Sequence, residues 1–197
     1  MRKIELEVYK YEELEEEVKE VVREKISELI VDLRFDWLKE DLQEILACEY
    51  DLHDCELRYS LSYCQGDGLS FDCDNLLESS YIMNKIKEKL NKNEKAMLTS
   101  MIKKYQLSKI VSHNTNNHYC YASEYDIDIK LGYGWYDLTK KQQELIDKIQ
   151  NIVVEVYLEI CSKLECEGYN CYNVSEEDIV DMIKGNEWEF YEDGEMV

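Results

Sequence analysis

The sequence predicts an α+β fold: a single domain over residues 1–197, with an antiparallel sheet of about five or six strands and helices packed mostly on one face. Three observations lead there. Apolar and polar residues alternate in several short stretches bounded by Gly, Asn and Asp, while longer stretches repeat apolar residues at helical spacing. No linker, internal repeat or low-complexity segment divides the chain. Hydrophobic residues make up 45%, enough to build a packed core.

Ile4, Leu6 and Val8 alternate with polar residues and predict a first strand. Leu14, Val18, Val21, Val22, Ile26, Leu29, Ile30 and Leu33 then recur at helical spacing, opposite a face rich in glutamate. A second helix is expected near Trp37 to Cys48. The stretch LRYSLSYCQGDGLSFDCD, Leu57 to Asp74, reads as a hairpin: Leu57, Tyr59, Leu61 and Tyr63 share one face, and Leu69, Phe71 and Cys73 alternate after the turn. Gly66 and Gly68 are expected to supply the positive φ angles of a short hairpin loop. Two lysine-rich helices follow, about Ser79 to Leu90 and Glu94 to Tyr105. A second hairpin runs from LSKIVSH through a polar NTNN corner into HYCYASEYDIDIKL. Thr139 caps a long helix that Gly168 stops, Ser175 and Asp178 form a capping box for a short helix to Lys184, and the tail NEWEFYEDGEMV predicts a last short strand.

The Gln65-Gly66-Asp67-Gly68 turn holds groups that could do chemistry. A phosphate cradle needs a longer glycine loop opening a helix, with a lysine beside it; here a strand follows. Asp67, Asp72 and Asp74 offer hard oxygens for a divalent cation, but no EF-hand spacing closes the set. A structural hairpin corner, or a turn presented to a partner, fits better. His113 and His118 flank the second hairpin near Cys120, without the four-ligand spacing of a zinc site. Cys161, Cys166 and Cys171 do not repeat on one helix face. A Cys–His couple of Cys120 with either histidine, or Asp67 with the two histidines, is the enzymatic alternative. The sequence assigns no catalytic residue, metal ligand or cofactor.

Charge says more. Acids number 44 and bases 23, giving a net charge of −21, which repels nucleic acid and attracts basic proteins. From Gln142 to Val197 there are 15 acids and 3 bases, net −12, and the first helix adds Glu12, Glu13, Glu15, Glu16, Glu17, Glu20 and Glu24. The one basic patch, between residues 85 and 104, has seven lysines and two glutamates; it is the place where direct nucleic-acid contact would occur. Carboxylates spread along helices and a strand can imitate duplex phosphates in a basic groove, and sixteen tyrosines suit a contact surface. Eight cysteines without a CxxC pair read as reduced thiols in a cytoplasmic protein. The N-terminus has no apolar signal core, and no run is long enough to span a membrane.

Three segments in order, VYKYEELEEEVKEVV, YSLSYCQGDGLSF and NEWEFYEDGEMV, resemble a family of small proteins of bacteriophages and mobile elements. HNTNNHYCYASEY is similar to that family's His/Tyr-rich hairpin, though less closely. The chain departs from the pattern in its many cysteines and its lysine-rich middle. The resemblance carries over no catalytic residue; it implies phage context, where a small acidic protein is expected to inhibit host defence. The expected function is thus an anti-CRISPR-like inhibitor that binds a basic surface of a host nuclease or effector, without membrane or direct nucleic-acid contact. Its expected partner-binding residues are Asp67, Asp72, Asp74, Tyr63, Tyr119, Glu187, Glu189, Glu192, Asp193 and Glu195. An antitoxin-like protein neutralising a basic partner is the alternative.

Overall fold

A computed structural model describes residues 7–114, 119–132 and 137–197. Ile4, Leu6 and His118 lie outside the described residues, as does most of the NTNN corner. Two compact units partition the chain, Met1–Leu38 with Asn170–Val197, and Lys39–Tyr169. Helix accounts for 60% of the structure.

The longest of the described helices contradicts no local signal. α1 runs unbroken from Glu16 to Tyr50, where the sequence predicts two helices. The residues between the two expected segments, Arg34-Phe35-Asp36, include no Gly or Pro, so nothing interrupts the i→i−4 ladder. Its buried residues fall every fourth position: Val22, Ile26, Ile30, then Leu38, Leu42, Leu46 and Tyr50. Arg34 occupies the remaining place in that row. Its guanidinium donates to the Asn173 carbonyl at 2.8 Å and pairs with Asp178 at 3.2 Å.

In the first unit, α5 (Glu176–Gly185) starts at a capping box in which Ser175 Oγ accepts from the Asp178 amide and the Asp178 carboxylate accepts from the Ser175 amide. Ile179 and Ile183 from this helix meet Val22, Ile26 and Ile30, and Tyr11, Leu14 and Phe190 complete the core. Phe190 exchanges both backbone hydrogen bonds with Tyr9, at 2.8 and 2.9 Å. The tail then folds back on itself through Asp193-Gly194, with Tyr191 donating to the Glu195 carbonyl and Val197 to that of Glu189. Gly194 has φ +79°, and a Cβ there would meet the side chains of Val18 and Val22 at 3.1 Å.

In the second unit, β1 (Glu56–Ser60) pairs antiparallel with β2 (Gly68–Asp72), Leu57 opposite Phe71. β3 (Leu107–Asn114) pairs antiparallel with β4 (Tyr125–Leu131), Ile110 opposite Ile129. Helices α2 (Ser80–Lys89) and α3 (Lys92–Lys103) are capped by Ser79 and by an Asn91/Glu94 capping box. α4 (Lys140–Tyr169) packs against α2, β2 and β4 through a buried stripe that includes Ile149, Ile152, Val153, Val156, Tyr157, Ile160 and Leu164.

The expected sheet of five or six strands is not seen. Among the described residues the fold is α+β with two small two-stranded antiparallel sheets. β2 and β3 run side by side but share one backbone bridge, Cys73 with Ser112, at 3.2 and 3.0 Å. At Phe71 a side chain takes over. The Tyr157 hydroxyl accepts from the Phe71 amide and donates to the Phe71 carbonyl, both at 3.0 Å, and Ser112 Oγ donates to that same carbonyl at 3.0 Å. With its backbone groups satisfied by these side chains, Phe71 takes no part in a ladder with β3. The predicted last strand is reduced to the single bridges Tyr9–Phe190 and Phe190–Met196, and the predicted first strand lies mostly outside the described residues.

Two substitutions test this arrangement. Tyr157→Phe leaves the buried Phe71 amide without its acceptor and is expected to lower the free energy of urea unfolding by about 1–3 kcal/mol. Gly194→Ala, forced into left-handed backbone against two valines, is expected to cost about 1–2 kcal/mol in the same measurement.

Candidate functional site

The QGDG turn is built around one carboxylate. Asp67 Oδ1 accepts from Ser60 Oγ at 2.8 Å and from the Cys64 thiol at 3.2 Å. Its Oδ2 accepts from the amides of Ser62 at 2.7 Å and Cys64 at 2.9 Å, and from the Tyr169 hydroxyl at 3.1 Å. Removal from water pushes the Asp67 carboxyl up, but the hydrogen bonds outweigh it and hold the group well below the usual carboxylate range. The same contacts act in reverse on the donors: burial and then Asp67 push Tyr169 up to about 12, and the hydrogen bond to Asp67 raises the Cys64 thiol.

Tyrosines enclose this turn. Tyr63 stands in left-handed backbone with φ +55°, is 70% exposed, and has its ring centroid 4.8 Å from that of Tyr169. Tyr119, also exposed, covers Gly66 so closely that a Cβ there would lie 3.1 Å from the ring, and it stacks on Tyr121 at 5.5 Å. Gly66 has φ +108°, as the loop requires; Gly68 does not have the positive φ expected of it. It is small for another reason, since a Cβ would come 3.2 Å from the Cys120 carbonyl and the Tyr121 ring.

The structure brings Asp67, Tyr63 and Tyr119 to one turn and separates the other two aspartates from it. Asp72 pairs with Arg58 at 3.3 Å, and Asp74 is exposed beyond the strand. Among the described residues, no group of three or more His, Cys, Asp or Glu is placed to hold a metal ion. His113 lies half-buried on β3 and Cys120 is half-buried with its thiol raised by burial, while their expected companion His118 falls outside the described residues.

The tail carboxylates belong to the other unit. Glu187, Glu189, Glu192, Asp193 and Glu195 are all exposed, while Phe190 between them is buried. Glu187 closes α5 in left-handed backbone, φ +55°, donating to the Lys184 carbonyl while Trp188 donates to that of Ile183. Glu187 and Glu189 line a cavity of about 530 Å³ together with Lys10, Lys184 and Trp188, so the acids there face cations as well as solvent.

Sequence reading missed the most extended feature of the first unit. On α1, Glu16, Glu20, Glu24, Glu28, Asp32 and Asp36 form an unbroken row at i, i+4 spacing, and every one is exposed. Successive carboxylates rise about 6 Å along the axis. The row sits two positions from the buried row, roughly 200° around the helix. Among the described residues only Glu16 of the six lies within ion-pair distance of a base, Arg23 at 2.7 Å and Lys19 at 3.9 Å. One position on runs an apolar row, Val21, Leu29, Leu33 and Trp37, interrupted by Lys25; Val21 is 41% exposed, Leu33 40% and Trp37 65%. The four-residue spacing of the acids is legible in the sequence, although the exposure of the apolar row beside it is not.

No protein-family model, curated protein or solved structure matches the chain. None of the described helices is long and apolar enough to cross a membrane.

The Asp67 shell has a pH signature. A carboxylate whose folded pKa is depressed stabilises the fold fully above its unfolded value of about 3.9 and loses that contribution as pH falls towards the folded value. Asp67→Asn is therefore expected to be less stable than wild type at pH 7, with the gap closing progressively below about pH 4. Urea unfolding at stepped pH reads this directly; a gap of constant size would show that the charge of Asp67 is not what organises the turn.

Proposed function

We propose that this protein acts by stoichiometric binding, docking the exposed face of α1 onto a basic surface of a partner protein. One observation carries the reading: the acid row from Glu16 to Asp36 runs beside an apolar row in which Val21, Leu33 and Trp37 are exposed. Either row alone has a bland explanation. Together they favour a partner with a line of Lys or Arg next to an apolar pocket. An exposed tryptophan next to apolar side chains is the typical anchor of such a contact, and the charges steer the encounter.

The cost of the acid row supports a selected role. Five like-charged i, i+4 pairs each destabilise an isolated helix by about 0.2–0.5 kcal/mol at low salt. A basic partner would relieve that repulsion on binding. The tail acids Glu187, Glu189, Glu192, Asp193 and Glu195 add to the negative field of the same unit. In the second unit, Tyr63 and Tyr119 present aromatic area around a turn whose carboxylate is already committed to the fold.

The narrower reading, an anti-defence inhibitor of phage type that fills the nucleic-acid groove of a nuclease or effector, draws its support from the sequence resemblance and the net charge of −21. A nucleic-acid groove is the commonest large basic surface, and competition with nucleic acid would follow from occupying it.

The test takes partners captured from cells by the wild-type chain and rebinds each as a purified protein. The expected partner is basic, binds one to one, and loses nucleic acid when the chain is added. Trp37→Ala is expected to weaken it roughly 10–30-fold. The combined Glu20→Gln, Glu24→Gln, Glu28→Gln and Asp32→Asn variant is expected to associate more slowly and with less dependence on salt. A partner held equally by both variants overturns the α1 assignment, and a basic toxin as the partner would make the chain an antitoxin.

A further inference from the structure

Two buried cysteines that no part of the binding role uses face each other across the first hairpin. The β1–β2 register pairs Glu56 with Asp72, so the next step of the antiparallel ladder sets Cys55 opposite Cys73. Both are free and 6% exposed, close enough for each to shift the other's acidity, and the Cys55 thiol donates to the His53 carbonyl at 3.7 Å.

The kind of pair matters. Two steps along the ladder, Phe71 turns its amide and carbonyl to Tyr157 and Ser112, away from its partner Leu57 on β1. Leu57–Phe71 is therefore a non-hydrogen-bonded pair, and by the period of two so is Cys55–Cys73. The backbone agrees, since the Cys73 amide and carbonyl are both engaged with Ser112 on the opposite side. Opposed residues in such a pair have Cα atoms about 4.5 Å apart, at the short edge of the roughly 4.4–6.8 Å that a disulfide spans. A bond made there is strained and readily reduced again.

Access is built in as well. Cys55 lines a surface cavity of about 270 Å³ together with Gln43, Leu46, Leu52, His53 and Asp54. Asp51 and Asp54, in left-handed backbone, shape the corner that leads from α1 into this strand. Cys73, equally buried, is not among the residues that line this cavity.

We propose that Cys55 and Cys73 are a reversible oxidation site, at which a peroxide converts the dithiol into a cross-strand disulfide. In the first step the Cys55 sulfur attacks one peroxide oxygen; the O–O bond breaks, the Cys55 sulfur becomes a sulfenic acid, and hydrogen peroxide leaves its second oxygen as water. In the second, Cys73 attacks the Cys55 sulfur, the S–S bond forms, and the sulfenic hydroxyl leaves as water. One peroxide is reduced to two waters while two thiols lose two electrons and two protons. A small dithiol reverses the bond by two successive thiol–disulfide exchanges. The contact with Cys73 and burial raise the Cys55 thiol, while the contact with Cys55 lowers Cys73; it is the cavity beside Cys55 rather than acidity that gives Cys55 the first step, and the lowered thiol of Cys73 suits the resolving step.

The experiment treats the reduced, folded, full-length protein with hydrogen peroxide, blocks remaining thiols, and maps the unreduced peptides by mass spectrometry. The expected product joins the Cys55 and Cys73 peptides, disappears after dithiothreitol, and is absent from Cys55→Ser and Cys73→Ser. In Cys73→Ser a sulfenic acid at Cys55 is expected to be trapped by dimedone. The wild-type protein alone supplies a second readout that needs no variant to fold: its urea midpoint is expected to rise on oxidation and to return on reduction. Recovery of both residues as free thiols while the exposed Cys48, Cys64 and Cys166 are oxidised would overturn the proposal, as would a Cys55 or Cys73 linked to any other cysteine.

Discussion

The second unit depends on what one phenolic hydroxyl does at Phe71. A strand's backbone groups cannot be buried unpaired, and the obvious remedy is a neighbouring strand. Here the remedy comes from a helix. The Tyr157 hydroxyl, carried by α4, serves both the amide and the carbonyl of Phe71, and its ring lies 4.6 Å from the Phe71 ring. That single contact ties α4 to β2 and ends the ladder between β2 and β3 after one bridge. It also turns the Phe71 backbone away from β1, which fixes the pairing type of every position along the first hairpin, the two cysteines included.

Much of the local structure was written in the residues. The capping residues Thr139, Ser175 and Asn91 stand where helices begin, and the apolar period of the long helix predicts the buried stripe of α4. The failures are of a different kind. Strand number depends on which groups complete the ladder, and a tyrosine 86 residues away from Phe71 leaves no trace in the local pattern. The separate helices expected around Leu33 and Trp37 are one helix because the apolar row continues through Arg34, a residue whose polar end finds Asn173 and Asp178. Hydropathy alone reads that arginine as an interruption.

The candidate site shows the same division. Asp67 is expected at a turn presented to a partner; in the fold it accepts five hydrogen bonds, one of them from Tyr169. An aspartate in a short turn is often its organiser, through the side-chain turn geometry that Asp favours. The tail behaved more simply, because alternation there puts Phe190 inward and leaves its acids in water. The acid row of α1 needed only a four-residue ruler to be seen. Its apolar companion needed the structure, since Val21, Leu29, Leu33 and Trp37 are indistinguishable by type from residues of the core.

The four-residue spacing on α1 also limits how the protein can change over time. In a helix of 3.6 residues per turn, inserting or deleting four residues rotates everything beyond by about 40°, leaving each apolar side chain on its own row. A change of two residues swings the following segment through roughly 200° and would carry carboxylates to where Ile26 and Ile30 now pack. Relatives of this chain should therefore differ in α1 by steps such as four, seven or eleven residues, which turn the helix by about 40° or less, a rule of descent imposed by the arithmetic of one helix.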